Sequence, residues 1–186
     1  MEALAASVLL VAAAEIGDKT QLLSLYLAAR YRAPLAISAG IAVATLANHA
    51  LAAWIGAWVA VALPEGTLPW ILGLAFLGFA VWALFGDTLS APTGLERRRL
   101  GVFALTTAAF FLVEMGDKTQ VATVALAAKY QSLVAIVAGT TAGMLIANVP
   151  VVLAGQKLAE RIPLRYARWF AALLFAATGI ATLAAA

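Results

Sequence analysis

The chain contains no cysteine, a single histidine and few charges: of 186 residues, 12 are Lys or Arg and 9 are Asp or Glu, 11% in all. Without cysteine there is no disulfide framework, no thiolate metal site and no cysteine nucleophile. One histidine, His49, excludes a multi-histidine zinc or copper centre within one chain. Soluble domains are about a quarter charged and roughly half apolar, so an apolar share of 65% excludes an ordinary soluble protein. The net charge of +3 reads as topology and not as a nucleic-acid footprint.

What the sequence has instead is hydrophobic length. Stretches from Ala3 to Ala29, Ala33 to Leu63, Pro69 to Gly86, Leu100 to Ala128, Leu133 to Gly155 and Tyr166 to Ala186 are each long enough to span a bilayer. At about 20 residues per span, six spans take roughly 120 residues and leave no separate soluble domain. The runs are too long and too rich in Ala and Leu for the alternating segments of a membrane β-barrel. The expected fold class is an all-α integral membrane protein of six transmembrane helices.

Basic residues at the helix ends set the orientation, because positively charged loops stay cytoplasmic. Arg30, Arg32, Arg97, Arg98, Arg99, Lys157, Arg161, Arg165 and Arg168 fall on one side, and Lys129 on the other. Both termini are therefore expected outside the cytoplasm, with the polar linker around the three arginines inside. Leu4 to Val11 followed by Ala12, Ala13 and Ala14 imitates a signal peptide. Glu2 stands where a basic region belongs, and a similar apolar approach recurs at Phe103 to Val113, so the first span is read as retained.

That recurrence is general. A shift of 99 residues aligns EIGDKTQLLSLYLAARY (Glu15 to Tyr31) with EMGDKTQVATVALAAKY (Glu114 to Tyr130), identical at ten of seventeen positions. The same shift brings Gly40 onto Gly139, Gly56 onto Gly155 and Trp70 onto Trp169. The single membrane domain, 1–186, thus divides into a three-helix repeat at 1–88, a cytoplasmic linker at 89–99 and a second three-helix repeat at 100–186. An odd number of spans per repeat makes the copies enter from opposite sides, an inverted repeat with a pseudo-two-fold axis in the membrane plane.

The repeated motif places Glu15, Asp18 and Lys19 about halfway along the first span, and Glu114, Asp117 and Lys118 about halfway along the fourth. One ionisable residue at a helix centre costs about 2.5 to 3.5 kcal/mol even on insertion-based scales, so six must be paired or hydrated. On a continuous helix Glu, Asp and Lys share one face, with Gln21 and Gln120 extending the stripe, whereas Thr20 and Thr119 point away. Gly17 and Gly116 allow close approach or a local backbone adjustment. If the motif helices face each other, four carboxylates and two ammonium groups sum to minus two, which one divalent cation or two protons would neutralise. Oxygen donors without sulfur or clustered imidazole favour calcium, manganese or magnesium. A purely structural Glu–Lys pairing is the plainer alternative, and the extra carboxylate in each copy weighs against it.

The paired E-x-G-D-[KR]-[ST] pattern in EIGDKTQ and EMGDKTQ, on two spans of a duplicated chain, resembles the signatures of the Gdt family of calcium and manganese exchangers in the lysine-exporter superfamily. The resemblance covers essentially the whole chain. It implies that Glu15, Asp18, Glu114 and Asp117 hold the cation and the protons, with Lys19, Gln21, Lys118 and Gln120 in support. It implies a secondary transporter, not an enzyme, with manganese or calcium as cargo, no cofactor, and protons, divalent cations and lipid as partners. Homodimerisation stays open. An amino-acid or small-solute exporter of the same superfamily fits a site of four acids poorly, and a non-transporting scaffold would only pair the charges off.

Three further polar residues lie in apolar spans. Asn148 precedes Pro150, whose ring leaves the Ile146 carbonyl free; a membrane kink explains this more simply than a cation path. Asn48 and His49 fall at the corresponding point of the second span, where a histidine hydrogen-bonded between helices is expected in preference to a proton relay. Gly139 and Gly143 signal close packing, and Trp70, Trp82 and Trp169 suit interfacial anchoring.

Overall fold

A computed structural model describes residues 1–64, 66–85, 101–154 and 164–186, and the described residues form helices and no strand. In chain order these are α1 (Glu2–Glu15), α2 (Lys19–Tyr31), α3 (Pro34–Ala62), α4 (Leu68–Ala83), α5 (Val102–Glu114), α6 (Lys118–Tyr130), α7 (Leu133–Ala154) and α8 (Leu164–Ala184). The arginine-rich linker lies outside the described residues. α3 and α7 are each long and apolar enough to cross a membrane alone. Large apolar side chains such as Trp54, Trp58, Val61, Trp70, Val134 and Trp169 stand exposed on the outer surface, as they would facing lipid.

The first and fourth apolar stretches are not continuous helices. Each breaks inside its motif: α1 ends at Glu15 and α2 begins at Lys19, while α5 ends at Glu114 and α6 begins at Lys118. The cause is the central glycine. Gly17 takes φ +83° and Gly116 φ +77°, a left-handed conformation that an L side chain resists. Ile16 and Met115 before them, and Asp18 and Asp117 after them, are extended. Each broken stretch also ends alike, on a left-handed C-cap at Arg32 and at Gln131.

Packing follows the repeat. α1 lies against α7 and α5 against α3; α2 meets α7 as α6 meets α3; α3 crosses α7, and α4 crosses α8. Small residues set the closest approaches. A Cβ on Gly40 would lie 2.7 Å from Thr106 Cβ and 2.9 Å from the Phe103 carbonyl; one on Gly139 would lie 2.8 Å from both Ser7 Cβ and the Leu4 carbonyl. All three pairs, Gly40 with Gly139, Ser7 with Thr106 and Leu4 with Phe103, are 99 residues apart, so the same contact is built twice. Gly143 continues the α1–α7 seam, where a Cβ would meet the Val8 carbonyl at 2.8 Å and the Ala12 nitrogen at 2.9 Å.

This seam generates a stability test. Gly143→Leu must drive a side chain into the backbone of α1 and should cost about 1–3 kcal/mol or more, the usual range for overpacking. Gly78→Leu enters open space and should leave the detergent-solubilised melting temperature unchanged. Equal melting shifts for the two variants would contradict the packing described.

Candidate functional site

The two helix breaks meet. Asp18 and Asp117 occupy the N-cap positions of α2 and α6, yet neither carboxylate caps its own helix. Each turns instead to the lysine of the other motif: Lys19 Nζ lies 2.9 Å from Asp117 Oδ1, and Lys118 Nζ lies 2.9 Å from Asp18 Oδ1. Two crossed ion pairs therefore bind the halves of the chain together where they are most apolar. Both aspartates and Lys118 are buried, and Lys19 is partly exposed.

With the aspartates matched to lysines, the uncompensated charge belongs to Glu15 and Glu114, both fully buried. Each glutamate has one oxygen bonded to a motif threonine: the Thr20 hydroxyl donates to Glu15 Oε2 at 2.5 Å, and the Thr119 hydroxyl to Glu114 Oε2 at 3.2 Å. The other oxygen of each, Oε1, has no hydrogen-bond partner among the described residues. Carboxylate oxygens of Glu15, Glu114 and Asp117 all lie within 4.8 Å of one another. Clustered buried carboxylates, two of them with an oxygen left without a donor, have the chemistry to hold a hard divalent cation or protons.

The sequence reading of this region is corrected in one respect. A continuous helix would turn Thr20 and Thr119 away from the acids, but the break removes the helical register, and both hydroxyls bond the glutamates. Gln21 and Gln120 do not extend an acidic stripe. Their side-chain oxygens accept from the backbone N–H of Gly17 at 2.8 Å and Gly116 at 2.7 Å, filling the gap in the helical ladder that the break opens. Their amide nitrogens donate outward, Gln21 to the Ala147 carbonyl and Gln120 to Asn48 Oδ1, which anchors each break to the long helix of the other half. Asp18 lies outside the group of three mutually close acids.

Asn48 donates to the Phe111 carbonyl at 3.0 Å, so it joins the support of the second break. Asn148 accepts from Ser24 at 2.8 Å and donates to the Met144 carbonyl at 3.1 Å, which makes it a tie between α2 and α7. Pro150 sits inside α7, as a kink residue would. His49 departs from expectation: it is buried, and neither ring nitrogen has a hydrogen-bond partner among the described residues. The polar atoms of its neighbour Asn48 are already engaged with Phe111 and Gln120. The identity of Thr20 and Thr119 in the two motif copies is the sequence signal that could have revealed the threonine–glutamate contacts.

The model of the family described as "Divalent cation/proton antiporter GDT1" matches residues 3–91 and 102–186. The chain belongs to that family. This antiporter is 50% identical over 183 residues, 98% of its own length and 90% of the relative's, to a Vibrio cholerae serotype O1 protein named "Putative manganese exporter". No solved structure matches the antiporter. It is a transmembrane transporter and not an enzyme.

The crossed pairs can be tested in the antiporter without reference to transport. Lys118→Met leaves Asp18 charged in a buried site and should destabilise the fold by about 3–5 kcal/mol. Adding Asp18→Asn removes the stranded charge and should restore most of that loss, read as thermal unfolding of the two single variants and the double. Strictly additive losses would show that the two side chains do not share one interaction.

Proposed function

We propose that the protein exports manganese from the bacterial cytoplasm in exchange for protons, with Glu15, Glu114 and Asp117 as the direct oxygen ligands. Asp18 and the two motif lysines hold the charge balance around them. The observation that carries this reading is the cluster of three buried acids drawn from both halves of the chain, with the Oε1 of Glu15 and of Glu114 lacking partners. A scaffold built to pair charges would leave no such oxygens. Manganese is preferred over calcium because the Vibrio relative's name specifies it, and an all-oxygen site suits either ion.

The exchange follows from charge. Two carboxylates in excess of two compensated pairs sum to minus two, matched by one divalent cation or by two protons. An emptied site keeps Glu15 and Glu114 close together in an apolar interior, where like-charge repulsion and lost hydration favour proton uptake. Metal arriving from the cytoplasm displaces those protons, and protons arriving from the other side displace the metal. The duplicated break and the twice-built Gly40 and Gly139 contacts support six spans in two inverted repeats, in which either repeat opens the same residues to one side.

In proteoliposomes loaded with manganese and a pH-sensitive dye, metal efflux should acidify the lumen, since protons move against the metal. Glu15→Gln and Glu114→Gln should reduce both signals to the background of empty vesicles while leaving a monodisperse protein. Metal flux without proton movement would make the protein a uniporter, and undiminished flux in both variants would remove the acids from the mechanism.

Orientation is tested at two repeat-related C-caps. By the nine-to-one distribution of basic residues, both termini and Gln131 lie outside, and Arg32 lies inside. In intact cells Gln131→Cys should react with an impermeant thiol reagent and Arg32→Cys only after permeabilisation; the reverse pattern would invert the topology.

A further inference from the structure

The halves are alike in sequence but meet the α4–α8 pair unequally. α4 packs on α6 and α8 on α1, whereas the repeat-related pairings, α8 on α2 and α4 on α5, have no comparable extent among the described residues. Side chains mark the same inequality. At the end of α6, the Lys129 ammonium donates to Thr182 Oγ1 of α8 at 2.7 Å and lies 5.9 Å from the centroid of the Phe76 ring on α4. Next to it, the Tyr130 hydroxyl donates to Glu2 Oε1 of α1 at 3.3 Å. One end of the molecule is thus tied across four helices.

A shift of 99 residues turns Lys129 into Arg30, Tyr130 into Tyr31, Thr182 into Ala83 and Phe76 into Phe175. Lys129 lies 5.4 Å from the Tyr130 ring, and Arg30 lies 5.8 Å from the Tyr31 ring, so the local contact is made in both halves. Among the described residues the long-range contacts are made in one. Arg30 is exposed, and no contact to α4 or α8 is described for it. Between them, Phe76 and Phe175 stack on each other with centroids 6.5 Å apart and planes 21° from parallel. Among the described residues, the pair that α4 and α8 form therefore has a repeat-related aromatic contact at its middle and a lysine latch on one side only.

We infer that Lys129 and Arg30 are alternating gate residues: Lys129 holds the α4–α8 pair over the ends of α1 and α6 in this state, and Arg30 takes the equivalent place over Phe175, beside Ala83, in the other. This rests on the exchange reading above. The chemistry suits the substitutions between halves. A compact ammonium divides itself between a hydroxyl and a ring face, as Lys129 does, while a planar guanidinium stacks on a ring without needing a hydroxyl, which Ala83 does not supply. Neither latch is an ion pair, so either releases without stranding a buried charge.

Because the chain has no cysteine, introduced pairs are its only thiols. Lys129→Cys with Thr182→Cys, and Arg30→Cys with Ala83→Cys, are to be cross-linked by a short methanethiosulfonate reagent in proteoliposomes. Manganese and pH gradients are imposed in either direction, and linked peptides are read by mass spectrometry. The two cross-linking rates should move oppositely, by about tenfold as one state replaces the other, and each link should arrest manganese flux until reduced. In the same assay Phe76→Leu should favour the 30–83 link and Phe175→Leu the 129–182 link, opposite shifts that a merely structural pair of rings would not give. Rates that do not anticorrelate, in a protein whose cysteine-free parent transports manganese, would overturn the gate. A parent that moves no manganese would count against the exchange reading instead.

Discussion

Two buried aspartate–lysine contacts, crossed between the halves of the chain, are the constraint on which the structure depends. Taken alone, either half would carry a glutamate, an aspartate and a lysine into an apolar layer, at about 2.5 to 3.5 kcal/mol for each charge. Its own Asp and Lys are sequence neighbours, Asp18 with Lys19 and Asp117 with Lys118, but the helix break turns each toward the opposite motif. Neutralisation is then available only when the halves are assembled. The crossed pairs thus give the two halves an electrostatic reason to assemble, and the close glycine contacts pack helices of one half against those of the other.

The break converts a costly feature into a usable one. Interrupting a helix in a membrane exposes backbone groups that water cannot reach, and here the motif supplies its own repair: Gln21 and Gln120 accept from the glycine N–H groups left over. Two helix C-termini and two helix N-termini converge on the acids, so last-turn carbonyls and first-turn N–H groups line the same space. Motif residues divide the labour: Gly bends, Gln repairs, Thr orients a glutamate oxygen, Asp and Lys cross-neutralise, and Glu keeps an oxygen free.

The two long apolar helices were legible because they rest on hydrophobic length. The predicted stretch from Ala33 to Leu63 and the observed Pro34–Ala62 differ by one residue at each end, and Leu133 to Gly155 matches Leu133–Ala154 as closely. The acids were legible because they are costly and doubled. What was not legible was the backbone inside the motif. A glycine between apolar residues is compatible with a continuous helix, and the helical arithmetic that placed Glu, Asp and Lys together also sent Thr20 and Thr119 the wrong way. Partners that are backbone carbonyls, such as those of Ala147 and Phe111, leave no trace in a side-chain pattern. The hydrogen bond expected of His49 is not made by either ring nitrogen among the described residues.

The repetition of the motif in both halves bears on how such a protein can move. A perfect inverted duplication admits two conformations related by exchanging the repeats, equal in energy by symmetry and with the site open to opposite sides. An exchanger working by alternating access needs both within a few kcal/mol, because a state populated at one part in a hundred already lowers apparent affinity by that factor. The contacts that hold the halves together are built twice in this structure: the crossed ion pairs, the glycine seams and the glutamine repairs. Lys129 against Arg30 and Thr182 against Ala83 are among the positions at which the halves differ, and under the gate proposal they would fall where two such conformations differ. Under the exchange reading, duplication would set two such states close in energy, and substitutions between the halves would decide which of them is favoured.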